Sequence, residues 1–106
     1  MSGVIGLLGL GLRAGSVIVG VEAVRRALQA GEARCLVVAR DASQRALEKT
    51  VRLATALGVP QIAGPTAAEL GTKLGKPPVM VVGVRDSALA EGILRASTDR
   101  QGVTED

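Results

Sequence analysis

The sequence predicts an α/β fold, a three-layer αβα sandwich with a mixed sheet of about four strands. Two continuous apolar runs, at 35–39 and 79–83, are typical of fully buried strands. Segments with the apolar spacing of amphipathic helices alternate with them. The chain has 106 residues and is 47% hydrophobic, which suits one core. We therefore expect a single domain over residues 1–97 and a polar, disordered tail over residues 98–106.

The first half of the chain is predicted to contain two helices and two strands. Residues 4–12 show helical spacing, although four glycines between residues 3 and 11 weaken the helix by roughly 1 kcal/mol each relative to alanine. The β-branched stretch "SVIVG" predicts a short strand ending at Gly20, and "VEAVRRALQAG" predicts a helix ending at Gly31. The run "ARCLVVARD" is apolar at successive positions, so we expect it at the centre of the sheet.

The second half continues the alternation. The stretch "DASQRALEKTVRLATALGVP" predicts a helix capped by Asp41 or Ser43 and ended by Gly58. A short strand, "QIAG", is followed by the helix "TAAELGTKLG", in which Thr66 and Glu69 have the spacing of a capping box. The buried strand "PVMVVGV" and the helix "SALAEGILRAS" complete the domain.

Composition excludes several classes of site. The chain has no His and a single Cys, Cys35, so it can form neither a His/Cys zinc site nor a Ser–His or Cys–His nucleophile pair. We expect no enzyme activity, no metal and no cofactor. The absence of Phe, Tyr and Trp excludes base stacking on aromatic rings.

Cys35 lies within an apolar run and is predicted to be a buried thiol. An unpaired Cys fits a reducing compartment, and the start of the chain has no positively charged segment of the kind found in signal peptides. No apolar stretch approaches the length of a membrane span. The expected location is the cytoplasm, without membrane association.

The net charge is +3, and residues 97–106 contain three acidic residues against Arg100 alone. The body of the domain is therefore more basic than the whole chain, which leaves anionic partners open.

One glycine motif has two interpretations. "GLGLRA", residues 9–14, matches the G-x-G-x-x-G/A pattern of dinucleotide-binding turns. That turn needs a strand before it and a long helix after it, whereas here "SVIVG" follows within a few residues. The sequence context favours a glycine-rich packing helix.

The helix start "GVEAVRR" also has two interpretations. Its free N–H groups and the positive end of its dipole suit a phosphate, with Arg25 and Arg26 adding charge in the second turn. Taken alone, a strand-to-helix turn with solvated arginines explains the stretch more simply. Glu22 fits both hypotheses, since it stabilises a helix start but repels a phosphate placed over it.

The stretch "LGTKLGKPPV" places Lys73 and Lys76 around a loop that Pro77 and Pro78 stiffen. The stretch is interpreted equally well as one side of a ligand-binding site or as a stiff connection with surface lysines. Asp41 is interpreted as a helix cap, because no second carboxylate or base pairs with it in the sequence pattern.

The order of four stretches, "LLGLGLRAGSVIVG", "GVEAVRRALQAGEARCLVVARDAS", "LGVPQIAG…AELGTKLGK" and "PVMVVGVRD", resembles the kink-turn RNA-binding ribosomal protein family. That family is of the archaeal and eukaryotic large-subunit type. Within it, the sequence is most similar to the small bacterial YlxQ-like branch. The resemblance covers roughly residues 5–95. It implies an αβα sandwich that docks on RNA internal loops, with 20–26 at the sheared G·A pairs and 75–79 against an extruded nucleotide.

This chain departs from the family pattern at the helix start. Strong binders have Asn followed by Glu after the glycine, where this sequence has Glu22 and Ala23, so the amide and carboxylate that read guanine are not both in place. Arg26 occupies the family's basic position, and Lys76 and Pro77 keep the character of the loop.

These observations predict a non-catalytic cytoplasmic protein that binds structured, kink-turn-like RNA, including rRNA, by backbone charge and shape. The rival hypothesis is a protein-interaction adaptor on the same scaffold, bound to ribosomal or transcription and translation proteins. A small-molecule enzyme comes third. The predicted RNA-binding residues are Gly20, Val21, Glu22, Arg25, Arg26, Lys73, Lys76, Pro77 and Val79.

Overall fold

A computed structural model of the chain describes the backbone of residues 2–105 and the side chains of residues 3–97. In this part of the chain, helices and strands follow one another in the order α1 (Ser2–Arg13), β1 (Val17–Val19), α2 (Val21–Gln29), β2 (Cys35–Val38), α3 (44–57), β3 (Gln61–Ala63), α4 (Ala67–Leu74), β4 (Val81–Val84) and α5 (Ser87–Glu105). Helix α3 is continuous, with a π-helical turn at Leu47–Val51 between two α-helical segments.

The four strands form one mixed sheet in the order β1-β4-β2-β3. β4 is antiparallel to both of its neighbours, β1 and β2, and β2 is parallel to β3. The central position of β2 and β4 agrees with their unbroken apolar sequences, since both faces of a central strand are covered. The predicted mixed sheet of about four strands is confirmed.

Side chains alternate between two cores, one on each face of the sheet. Cys35 and Val37 of β2 lie in a core with α1, α4 and α5, whereas Leu36 between them lies in a core with α2 and α3. β4 alternates in the same way, with Val82 facing the first core and Val81 the second. The period of two along each strand thus produces the predicted αβα layers.

Helix α1 forms in spite of its glycines because it packs closely against α5. A methyl group at Gly3 would contact Ala96 at 3.7 Å, and one at Gly92 would contact Leu7 at 3.6 Å. Gly11 is tighter still, since a methyl group there would lie 2.6 Å from Val17. The "GLGLRA" stretch therefore lies inside and at the end of a packing helix, and the dinucleotide-binding interpretation does not apply.

The start of β4 and the end of α5 differ from the predictions. β4 begins at Val81 instead of residue 79, because the N–H of Val79 donates to the carbonyl oxygen of Ala67 at 3.0 Å and ties the preceding residues to α4. The backbone of α5 is helical to Glu105, beyond the predicted end of that helix at residue 97. No proline follows in the sequence to end it. The side chains of the predicted tail lie outside the described residues.

Candidate functional site

Gly20 joins β1 to α2 in a conformation that favours glycine. Its φ is 104° and its ψ 155°, a region that side chains with a Cβ rarely adopt. The N–H of Gly20 donates to the carbonyl oxygen of Val81, and its own carbonyl accepts from the N–H of Val24, both at 3.0 Å. No side chain caps the start of α2. The first turn therefore presents backbone N–H groups beside the centre of the sheet.

The segment from Gly75 to Met80 is held against α4 by backbone hydrogen bonds. Gly75 ends α4 in a left-handed conformation, and the N–H of Lys76 donates to the carbonyl oxygen of Gly71 at 2.8 Å. Gly71 allows this close approach, because a methyl group there would meet the carbonyl group of Pro77 and lie 2.8 Å from the carbonyl oxygen of Lys76. The position of the loop depends on a glycine one turn before the end of the helix.

The β1–α2 turn and this loop face each other across a groove of about 370 Å³, which we name the α2–loop groove. It is mostly apolar, and Lys76 supplies its charged side chain. The residues lining it are Val19, Gly20, Val21, Lys76, Pro77, Pro78, Val79 and Met80. Five of the predicted RNA-binding residues thus lie together.

Glu22 lies on the flank of α2 that faces α3. Its carboxylate accepts a hydrogen bond from Lys49 Nζ at 2.9 Å and lies 3.8 Å from Arg45 Nη2. The hydrogen bond and charge of Lys49, followed by the charges of Arg45 and Arg25, lower the pKa of Glu22. The charge that could repel a phosphate is therefore paired with cations from α3.

Arg25 has a structural contact on the same flank. Its guanidinium donates to the carbonyl oxygen of Lys49 at 2.9 Å, within the π-helical turn of α3. In the same turn, the buried Thr50 hydroxyl donates to the carbonyl oxygen of Ala46 at 2.7 Å. A π-helical turn shifts backbone hydrogen bonding away from the α-helical pattern, and Arg25 supplies a donor to it. Arg25 therefore anchors α2 to α3.

Arg26 lies one turn after Glu22 on the exposed face of α2, and it lines the side of the helix away from α3. It lines a second groove, of about 290 Å³, between α2 and β1. We name this the β1-edge groove; its lining residues are Ile18, Ala23, Arg26, Ala27, Ala30, Glu32 and Arg85. Lys73, in the last turn of α4, is exposed and does not line the α2–loop groove. The structure thus separates Arg25 from Arg26 and leaves Lys73 outside the groove.

Two helix caps agree with the sequence interpretation, and the role of Asp41 differs from it. Ser43 caps α3, its hydroxyl accepting from the N–H of Ala46 at 3.1 Å, and Thr66 and Glu69 form a capping box at α4. Asp41 accepts a hydrogen bond from the N–H of Ala67 at 2.8 Å, which fixes the start of α4. Asp41 is accordingly a structural acceptor at a different helix from the one predicted.

Cys35 is fully buried, and burial raises the pKa of its thiol to about 11. Among the described residues, no group of three or more His, Cys, Asp and Glu is placed to hold a metal ion. Within the same residues, every helix is too short or too polar to cross a membrane.

The α2–loop groove and the ion pairs beside it include five residues that were not among the predicted binding residues, namely Val19, Arg45, Lys49, Pro78 and Met80. Pro78 and Met80 adjoin predicted residues, so adjacency is a usable signal. Lys49 and Arg45 meet Glu22 across more than 20 residues of sequence, and only the packing of α2 on α3 reveals that contact.

Comparisons with known proteins agree with this architecture. The sequence matches the ribosomal protein L7Ae/L30e/S12e/Gadd45 family over residues 4–92. A protein of unknown function from Bacillus halodurans is similar in structure, with a TM-score of 0.82 at 25% identity, covering 90% of this chain and 96% of that chain. A 15.5 kD RNA-binding protein from Giardia lamblia has the same fold, with a TM-score of 0.72 at 18% identity, covering 89% and 81% respectively. No curated protein sequence matches the chain.

Proposed function

Because the chain belongs to the ribosomal protein L7Ae/L30e/S12e/Gadd45 family, we propose that it binds structured, kink-turn-like RNA in the α2–loop groove. The family consists of non-catalytic RNA-binding proteins, and this protein is not an enzyme. Membership of this family supports the conclusion that the chain is an RNA-binding protein of ribosomal type. The finer proposal, a kink-turn bound in this groove, is supported by the geometry of the groove.

The proposal rests on one observation, namely that the two walls of the α2–loop groove differ in chemistry. The start of α2 has no side-chain cap, so its N–H groups and helix dipole favour a phosphate beside Gly20. On the other side, Lys76 supplies a cation, and Pro77 and Val79 supply apolar surface suited to an unstacked base. One wall therefore suits the RNA backbone and the other a nucleotide.

The ion pairs of Glu22 make this groove compatible with phosphate. A free carboxylate in the first turn would repel an anion held over Gly20. Lys49 Nζ at 2.9 Å and Arg45 Nη2 at 3.8 Å offset that charge, and each can also approach a phosphate next to it. With Glu22 occupied in this way, recognition rests on backbone charge and shape.

In this proposal Arg25 contributes to RNA binding by holding α2 in position, because its guanidinium donates a hydrogen bond to α3. Lys73 is exposed one turn before the loop, where it adds positive charge outside the groove. The proposed RNA is a structured one of the rRNA type, and the proposed location is the cytoplasm.

The test is a salt titration of RNA binding, followed by fluorescence anisotropy. A kink-turn RNA and a fully paired duplex of the same length are compared. We expect tighter binding to the kink-turn and an affinity that falls steeply with salt. We expect Lys76→Ala to weaken binding by roughly 1 kcal/mol and to lower the salt slope by about one unit. Arg95→Ala, which removes an exposed cation from α5 outside the groove, is the matched control. Equal binding to both RNAs would reject kink-turn recognition.

A gain-of-function variant tests the specificity of the helix start. The change Glu22→Asn with Ala23→Glu introduces the amide and carboxylate that strong binders of the family have at this turn. We expect affinity for the kink-turn to rise while affinity for the duplex stays unchanged. An equal rise for both RNAs would mean that only the charge near Gly20 matters.

A further inference from the structure

We propose that the free edge of β1, with the β1-edge groove beside it, binds an extended acidic segment of a protein partner by strand addition. The β1-edge groove shares no lining residue with the α2–loop groove, although Val19, which would pair with the added strand, also lines the α2–loop groove. The inference does not depend on RNA binding.

The backbone of β1 has an unpaired edge. The carbonyl oxygen of Ser16 accepts from the N–H of Arg85, and the N–H of Gly20 donates to Val81, so even-numbered residues of this segment pair with β4. In an antiparallel ladder the intervening residues point the other way, so Val17 and Val19 direct their N–H and C=O groups outward. β1 is the end strand of the sheet, and no other strand in residues 2–105 pairs with that edge. Such an edge is a template for an added strand.

The β1-edge groove lies on the same side of the molecule as the free edge of β1. Glu22 and Arg25 contact Lys49, so one flank faces α3. Ala23, Ala27 and Ala30 recur at the spacing of the opposite flank and form an apolar wall with Ile18 of β1. In a strand added to β1, every second side chain would point toward this wall, where small alanines leave room.

The charges on the groove favour an acidic segment. Arg26 and Arg85 line it together with Glu32, so two cations face one anion. Neither arginine makes an ion pair or a side-chain hydrogen bond among residues 3–97. Exposed guanidinium groups in such a position can bind carboxylates in bidentate fashion.

A peptide fits this surface better than an RNA backbone does. The outward carbonyl oxygens of Val17 and Val19 accept N–H donors from a peptide, but they repel phosphate oxygens. The alanine wall adds apolar contact for peptide side chains, and phosphates gain nothing from it. A partner segment with carboxylates at alternate positions can pair its backbone with the edge of β1, contact the alanine wall and form ion pairs with the two arginines.

The experiment uses a phage-displayed library of random nine-residue peptides, selected on the full-length protein. Counter-selection uses the support without protein, and the test variant is the double variant Arg26→Glu with Arg85→Glu. The double variant Arg52→Glu with Arg95→Glu is the matched control, because it changes the net charge equally at two other exposed arginines. Circular dichroism checks that both variants are folded. We expect enriched peptides to carry Asp or Glu at alternate positions.

A synthetic peptide of the enriched sequence is then titrated into labelled protein and followed by NMR. We expect the amide signals of Val17 and Val19 to move, and the affinity to fall at least tenfold in Arg26→Glu with Arg85→Glu but not in the control. Methylating alternate backbone nitrogens of the peptide should abolish binding, since strand addition needs those N–H groups.

Three outcomes would overturn the proposal: no enriched acidic peptide, binding that survives charge reversal at Arg26 and Arg85, or binding that survives backbone methylation. If the same double variant instead lowers kink-turn affinity tenfold while no acidic peptide is enriched, this face is an RNA contact. Because Lys76→Ala is measured on the other groove, failure here is distinguishable from failure of the proposed RNA function.

Discussion

The carboxylate of Glu22 and its ion pairs determine the net charge of the proposed RNA site. Glu22 stands in the first turn of α2, where a carboxylate is favourable for the helix and unfavourable for a bound phosphate. Its pairing with Lys49 lowers the pKa of Glu22, so the ion pair is present at neutral pH. The pair is lost only as the pH falls through that lowered pKa.

Replacing Glu22 with Gln should increase RNA affinity, because the change removes the negative charge beside Gly20 and releases Lys49 for phosphate contact. We expect kink-turn affinity to rise severalfold and the salt slope to become steeper by about one unit. Anisotropy titrations at several salt concentrations measure both quantities. Glu91→Gln, which removes the same charge from α5, should leave both unchanged. A weaker complex for Glu22→Gln would show that the carboxylate itself contacts the RNA.

The elements of the site are held together by contacts of two kinds, a side chain that joins α2 to α3 and a close backbone approach that joins the loop to α4. Arg25 provides the first, through the carbonyl oxygen of Lys49. Gly71 permits the second, through its contact with Lys76 and Pro77. Each contact predicts a different effect of mutation.

Arg25→Ala should destabilise the fold more than it weakens RNA binding. The change removes a partly buried hydrogen bond from a charged donor, and we expect the free energy of unfolding to fall by about 1 kcal/mol. Kink-turn affinity should fall less than threefold, because Lys76 and the start of α2 remain. Denaturant unfolding and anisotropy separate the two effects. A large loss of affinity at unchanged stability would make Arg25 a direct phosphate contact.

Gly71→Ala should displace the loop. The added methyl group meets backbone carbonyls of Pro77 and Lys76, which cannot move without shifting the loop, so we expect destabilisation of about 1–3 kcal/mol despite the better helix propensity of alanine. RNA affinity should fall with it. In Gly9→Ala the new methyl group has no neighbour within 4 Å, and that variant should gain stability. Equal stability of the two variants would contradict the close approach.

The order of elements is predictable from the sequence because each is signalled locally. Unbroken apolar runs indicate the central strands, and caps such as Ser43 and Thr66 mark where helices begin. The start of β4 is not predictable in this way, since the bond from Val79 to Ala67 is a tertiary contact.

The candidate site is predictable in part for the same reason. Residues next to the glycine turn and the proline loop are found by motif, and five of them line one groove. Adjacent arginines in a helix point about 100° apart. Only the position of α3 shows which of the two contacts α3 and which lines the β1-edge groove. The separation of Arg25 from Arg26, and the pairing of Lys49 with Glu22, therefore needed the structure.

At the scale of the whole molecule, the single Cys reports on the integrity of the sheet. Cys35 lies in the central strand β2 with a pKa of about 11, so its thiol is protonated and inaccessible near pH 8. We expect a thiol reagent to label the native protein at least about a hundredfold more slowly than the unfolded protein, since labelling requires opening of the core. Comparable rates in buffer and in denaturant would contradict the buried position of Cys35.

The most direct test of the central claim, RNA binding in the α2–loop groove, is an NMR titration of the isotope-labelled protein with a kink-turn RNA. The account predicts that amide shift changes concentrate at residues 19–24 and 75–80 and that the part of the β1-edge groove outside these ranges, including Ala30 and Arg85, is unaffected. Saturable binding that leaves the amides of residues 19–24 and 75–80 unmoved would contradict it.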